Sequence, residues 1–275
     1  MRIVRDLRAL VSSVALALSN TQIRFRRRVA TWVTPKPSPE EPIPESFYSQ
    51  QPTCQIPHLQ HLFAKFFGER ESGFYVEVGA YDGIFVSNTW GLAERGWDGL
   101  LIEPVPHLAE LCRKNYVGHE RVRVIQKAVG ASASQVTLHL GDVFTTANTD
   151  LLAEYGDISW ASGSITAEQV VVECQALDQV LSEENVPKEF DLLVVDVEGF
   201  ETEVFAGFDL ARWRPKMLIV ELVDTHPNLS TTQRQDARLG RSLASSGYVI
   251  AHKDWINTVF VREDVWRAAF GFSAP

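Results

Sequence analysis

Phe74-Tyr75-Val76-Glu77-Val78-Gly79-Ala80-Tyr81-Asp82-Gly83 is an apolar run that ends in two glycines four positions apart. The run predicts a buried strand, and the glycines predict a tight turn that lets another group approach the backbone. Further on, Leu100-Leu101-Ile102 ends in Glu103-Pro104. A strand, a glycine turn, a helix and a second strand tipped by an acid make a half-fold suited to a nucleoside ligand, with backbone at the turn and the acid on ribose hydroxyls.

The chain has 275 residues, 45% hydrophobic and 22% charged, which is ordinary globular composition. Its net charge of -9 is uneven. Residues 1–34 carry seven arginines against Asp6, a net of +6, which leaves -15 for the remainder. An acidic body of that size argues against a nucleic-acid partner, since phosphates would be repelled over most of its surface. Cys54, Cys112 and Cys174 are far apart, with no C-x-x-C pattern. They predict reduced, buried thiols in a reducing, cytoplasmic compartment.

Ile3, Leu7, Leu10, Val14 and Leu18 recur at helical steps, followed by Arg24, Arg26, Arg27 and Arg28. Residues 1–34 therefore predict a basic amphipathic arm that attaches to a membrane surface or docks on protein, with a signal peptide as the third reading. Five prolines between Pro35 and Pro44 make residues 35–45 a stiff spacer, and a folded domain is expected over 46–275. Within it, strand patterns fall at 75–78, 99–103, 122–127, 136–140, 170–173, 192–195, 217–221, 248–251 and 258–261. Helix patterns fall at 58–67, 86–95, 106–116, 177–183, 201–206 and 232–245. Uninterrupted apolar strands alternating with helices predict a doubly wound α/β sheet, and the last two strands predict an antiparallel hairpin at its edge.

A dinucleotide turn of the G-x-G-x-x-G type would place glycine at position 81, where this chain has Tyr81. The observed E-x-G-x-x-x-G spacing instead resembles the first motif of class I methyltransferases. A later segment, Asp196-Val197-Glu198-Gly199-Phe200-Glu201, joins it. So do Ala128-Val129-Gly130, Leu177-Asp178, Val220-Glu221-Leu222 and Asn257-Thr258-Val259-Phe260. Together these ordered motifs, over roughly 70–262, resemble the FkbM-type S-adenosylmethionine-dependent methyltransferases. Many relatives have lysine two residues before the aspartate, where this chain has Val194.

The resemblance implies a Rossmann-like, mostly parallel seven-stranded sheet and O-methylation of a hydroxyl on a small molecule, sugar, glycan or glycolipid. It implies that Gly79 and Gly83 bracket the cofactor's amino-acid end, that Glu103 takes its ribose, and that Asp196 to Glu201 lie beside the methyl group. Glu77, Ala80, Asp82, Pro104 and Ala128 belong to the same cofactor motifs, and Asp142 is a further candidate, for the adenine amino group.

Methyl transfer needs an in-line approach and a proton acceptor. Candidate catalytic groups are Asp196, Glu198, Glu201 and His226, with Glu221 also in reach as a base. Asp196, Glu198 and His226 could instead hold a divalent cation such as magnesium. Bland roles compete: helix-terminal acids favoured by the dipole, Asp196 as a helix cap, His226 as a loop residue, and Trp90 and Trp255 as packing. The acceptor pocket is expected in the loops 145–168 and 224–232. Two rival functions remain, a nicotinamide-dependent oxidoreductase and a catalytically silent binding module.

Overall fold

The computed structural model describes residues 46–271. The arm over 1–34 and the spacer over 35–45 lie outside the described residues. Seven strands form the main sheet: β1 (Phe74–Val78), β2 (Asp98–Ile102), β3 (Val122–Ile125), β7 (Leu192–Val195), β8 (Met217–Glu221), β9 (Tyr248–Lys253) and β10 (Asn257–Arg262). Their order is β3-β2-β1-β7-β8-β10-β9. The first five are parallel, and β10 runs antiparallel to both β8 and β9. The mostly parallel seven-stranded sheet with antiparallel C-terminal strands is thus the architecture expected from the sequence.

Alternation along the strands explains why both faces are apolar. Val76, Val78, Leu193, Val195, Leu218 and Val220 enter one core cluster, with residues of α5 (Leu177–Glu183), α6 (Glu201–Ala206), α7 (Leu210–Trp213) and α8 (Gln233–Ser245). Tyr75, Leu192, Val194, Met217 and Ile219 enter the other, with residues of α1 (Leu59–Phe67), α2 (Trp90–Ala93) and α3 (Pro106–Asn115). Each fully buried aliphatic side chain contributes about 1.5–3 kcal/mol. The segment before α1 joins this second layer. Gln55 accepts a hydrogen bond from the Asn257 side-chain amide of β10 at 2.9 Å, both residues being buried.

Three departures from the sequence expectations matter for the site. The helix expected over 86–95 shrinks to α2, because Asp82 Oδ1 accepts from the N–H groups of Ile84 and Phe85 and Ser87 Oγ accepts from those of Thr89 and Trp90. Val86 is also held at φ 53°, which no helix allows. The strand expected over 122–127 stops at Ile125, and β4 (Ala128–Gly130) leaves the main sheet. It pairs with β6 (Gln169–Ala176), which pairs with β5 (Ser134–His139), in a separate three-stranded sheet of order β4-β6-β5. The loop expected over 145–168 contains α4 (Thr149–Asp157), capped by Asn148, whose side chain accepts from the N–H groups of Asp150 and Leu151. The chain closes with α9 (Glu263–Phe270). Among the described residues no helix is long and apolar enough to cross a membrane.

Candidate functional site

β1, β7 and β8 run in register, Val78 beside Val195 and Val195 beside Val220. Gly79, Asp196 and Glu221 therefore come side by side at the carboxyl edge, where ligands of such sheets lie. Gly79 has φ 88°, and a Cβ there would stand 1.7 Å from the carbonyl oxygen of Asp196. Only glycine lets the two chain ends touch.

Glu103 holds this turn from the tip of β2. One of its oxygens accepts from the Tyr81 N–H at 2.8 Å and the other from the Val105 N–H at 2.9 Å. Burial pushes its carboxyl up to about 7, against the pull of those two amides. Asp82 caps the turn as described above, its carbonyl accepts from Asn115, and the Tyr116 hydroxyl donates to the Gly83 carbonyl. At Gly83, φ 78°, an added Cβ would meet the Tyr116 ring at 2.5 Å.

The other sequence candidates for cofactor contact scatter more. Ala80 is buried within the turn, and half-buried Pro104 leads from Glu103 into α3. Glu77 is buried inside β1, where it accepts from the Thr89 hydroxyl at 2.6 Å and burial pushes it up to about 7. Asp142, at φ 58°, is brought to the turn through a hydrogen bond from the Tyr81 hydroxyl. Ala128 opens β4 in the second sheet, beside Cys174.

Asp196, Glu198 and Glu221 form the acidic centre, each offering an oxygen within 4.8 Å of the others. The turn carrying Glu198 is tightly held. Glu198 has φ 54° and Gly199 φ 83°, the Thr146 hydroxyl donates to the Glu198 carbonyl at 2.6 Å, and the Tyr155 hydroxyl donates to its carboxylate. Burial pushes Asp196 up to about 6 and carries Glu198 and Glu221 well above the ordinary carboxyl value, with the neighbouring acids adding to both. Three such groups cannot all ionise together without a counter-charge. They offer two kinds of chemistry, proton exchange near neutral pH or coordination of a hard cation, which prefers oxygen ligands.

Glu201 and His226 do other work in this structure. Glu201 is buried and one oxygen accepts from the N–H groups of Val197 and Gly199, so it closes the turn from within; burial pushes it up to about 8. Asp196 does not cap α6, whose cap position is Phe200. His226 is absent from the acidic group. Its Nδ1 accepts from the N–H groups of Asn228 and Leu229, both at 3.1 Å, and burial lowers its pKa. Glu221 stands in the third position, and the signal for it was its place at the end of β8, level with Asp196. Trp90 packs edge-on against Tyr116 and His119, whereas Trp255 meets His226 edge-on and is otherwise 63% exposed.

Residues 77–250, well over half of the chain, match the family described as the Methyltransferase FkbM domain. No curated protein matches the chain. Among solved structures it is similar to an O-methyltransferase from Bacillus cereus in complex with SAH, at 16% identity, covering 88% of this chain and 91% of that one with a TM-score of 0.43. It is also similar to the O-methyltransferase TomG from Streptomyces achromogenes, involved in tomaymycin synthesis and in complex with SAM, at 15% identity, 77% and 83% coverage and a TM-score of 0.42.

Proposed function

The chain belongs to the FkbM-domain methyltransferase family, and on that footing we propose that it is an S-adenosylmethionine-dependent O-methyltransferase acting on a hydroxyl of a small molecule, sugar or glycan. The observation that carries this reading is the abutment of Gly79 on Asp196, with the Asp196–Glu198–Glu221 carboxyls gathered beside it. The glycine turn and Glu103 form the cofactor grip, Glu103 offering its remaining lone pairs to ribose hydroxyls. When bound, the cofactor would supply an electrophilic sulfonium methyl group for transfer to the acceptor oxygen, with a neutral thioether as the leaving group.

The chain's own residues supply position and the proton path. Holding the reactants in line can lower a barrier by about 7–11 kcal/mol. Asp196, the least raised of the three acids, accepts the hydroxyl proton. Glu198 and Glu221, raised further by burial and by the neighbouring acids, hold protons more tightly, and Glu221 pairs with Asp196. A general base of this kind typically adds roughly 10²- to 10⁴-fold.

The close approach of the three oxygens supports a second form of the same reading, in which Asp196, Glu198 and Glu221 hold a magnesium-class cation. Such an ion would keep all three ionised and lower the pKa of the acceptor hydroxyl.

Calorimetry on the full chain is expected to show binding of S-adenosylhomocysteine and none of NAD. Binding of NAD alone would replace this reading with the oxidoreductase, and binding of neither would leave a silent module. Chelation followed by magnesium addition separates the two forms, since activity that survives chelation excludes the cation.

A further inference from the structure

A series of rings runs from one carboxylate of the acidic centre to the tip of the β9–β10 hairpin, next to the strand end that carries Glu221. It begins at Tyr155, whose hydroxyl donates to Glu198, and continues from Tyr155 to Trp160 with centroids 6.4 Å apart. From Trp160 it passes to His226 at 6.2 Å, and from His226 to Trp255 at 6.5 Å. It returns to the sheet beside Trp255, where the Ile256 carbonyl accepts from the N–H of Leu222, the residue after Glu221. Asn257 completes the closure as the register partner of Glu221.

The arc is built rather than loose. At the tip of the β9–β10 hairpin, Asp254 Oδ1 accepts from the N–H groups of Ile256 and Asn257 at 2.8 and 2.7 Å, which fixes the turn that presents Trp255. The loop carrying His226 is tied to α4 by Glu154, which accepts from the N–H groups of Ser230 and Thr231 and from the Ser230 hydroxyl. A rigid turn that leaves an indole 63% exposed keeps about two thirds of a large apolar surface in water. That arrangement is unfavourable for the free protein and suits a ligand that covers it.

We propose that this arc is the acceptor wall and Trp255 its platform, on which an uncharged, saturated ring rich in hydroxyls, such as a pyranose, lays its C–H face. The inference rests on the methyl-transfer reading and adds the acceptor class to it. Three features select that chemistry. The indole offers an apolar face. Three carboxyls at the other end of the arc can each pair with a hydroxyl, which a ring carrying several satisfies. An anionic acceptor meets an acidic floor, and Lys253 of the same hairpin is held by both oxygens of Asp224 at 2.7 Å.

The test is saturation-transfer NMR on the full chain loaded with S-adenosylhomocysteine, using methyl glycosides of neutral hexoses, glucuronic acid and catechol as probes. Ring C–H signals are expected from neutral glycosides, weakened about 3- to 10-fold in Trp255→Ala, as the loss of one stacking contact would give. The variant should keep its cofactor-product affinity and melting temperature, because the indole is mostly exposed. Glycoside signals unchanged in Trp255→Ala, signals from catechol or glucuronic acid alone, or no signal from any probe on loaded protein would each overturn the acceptor wall while leaving methyl transfer standing. Failure of S-adenosylhomocysteine to bind in calorimetry would remove the methyl-transfer reading itself.

Discussion

Glu77 in β1 stands opposite Val194 in β7, on the sheet face covered by α1, α2 and α3. Val194 offers no charge to a buried carboxyl that burial has already pushed up to about 7. This is the position where many members of the resembling family have lysine. Val194→Lys is therefore expected to bring an ammonium beside Glu77 and move its titration midpoint down, towards the ordinary carboxyl range. Carbon-13 NMR of the Glu77 carboxyl reads this directly, and an unmoved midpoint in a folded variant would refute the pairing.

Glu103 is buried and both oxygens are engaged by backbone amides, so its removal is expected to affect stability as well as ligand binding. Hydrogen bonds to charged groups contribute about 1.5–3 kcal/mol each. Glu103→Ala should lower unfolding free energy by about 2–4 kcal/mol and weaken S-adenosylhomocysteine at least about tenfold below the melting transition. Denaturant titration and calorimetry measure the two effects. A stable variant with unchanged affinity would take Glu103 out of both roles.

Tyr155 donates to Glu198 from a buried position, and that bond lowers the Glu198 pKa against the larger upward push of burial. Tyr155→Phe is expected to raise Glu198 further. If Glu198 shares in proton transfer, the acidic limb of the kcat/KM profile moves to higher pH while cofactor affinity stays unchanged. An identical pH profile would confine Tyr155 to a structural part.

Seven carboxyls are raised by burial: Asp196 and Asp236 to about 6, Glu77 and Glu103 to about 7, Glu201 to about 8, and Glu198 and Glu221 well above the ordinary value. The folded chain holds protons that the unfolded chain releases, so this stability is complete below the unfolded carboxyl values and drains away as pH rises to about 8. His226, lowered by burial, opposes the trend as pH falls below its unfolded value, with a single half-buried group. The melting temperature should thus be lower at pH 8 than at pH 5.5, by roughly 5 °C or more, each kcal/mol being worth about 2–4 °C at this size. Should Asp196, Glu198 and Glu221 hold magnesium, the ion restores part of the loss at pH 8 in the parent chain and not in Glu221→Gln. A melting temperature that rises from pH 5.5 to 8 without metal would contradict these shifts.

The main sheet was legible because its strands are short, apolar and two-sided, and because each glycine or acid at a strand end has a backbone reason to be there. What escaped was decided by contacts remote in sequence. β4 is not legible as a strand, since nothing in Ala128-Val129-Gly130, a short motif after the third strand, announces that it pairs with Cys174 to Ala176. Val86 looked helical until the caps on either side of it forced a positive φ. α4 carries a readable signal, Asn148-Thr149-Asp150, a cap followed by an acid in the first turn. In the site, Glu221 and His226 are five residues apart, and sequence cannot say that the imidazole nitrogen is spent on its own loop.

The hydrogen bond between Gln55 and Asn257 joins positions 202 residues apart. A ribosome adds about 5–20 residues each second, so Gln55 waits roughly 10–40 s for its partner to be made. Only in the last part of that interval, the roughly 2–8 s between completion of β8 and completion of β10, is β8 made while the strand that will lie beside Glu221 is not, and its edge is then open to other chains. The strand beside the acidic centre is therefore paired only after all three of its acids have been made, and a product truncated before β10 would expose an unpaired strand instead of a partly working site.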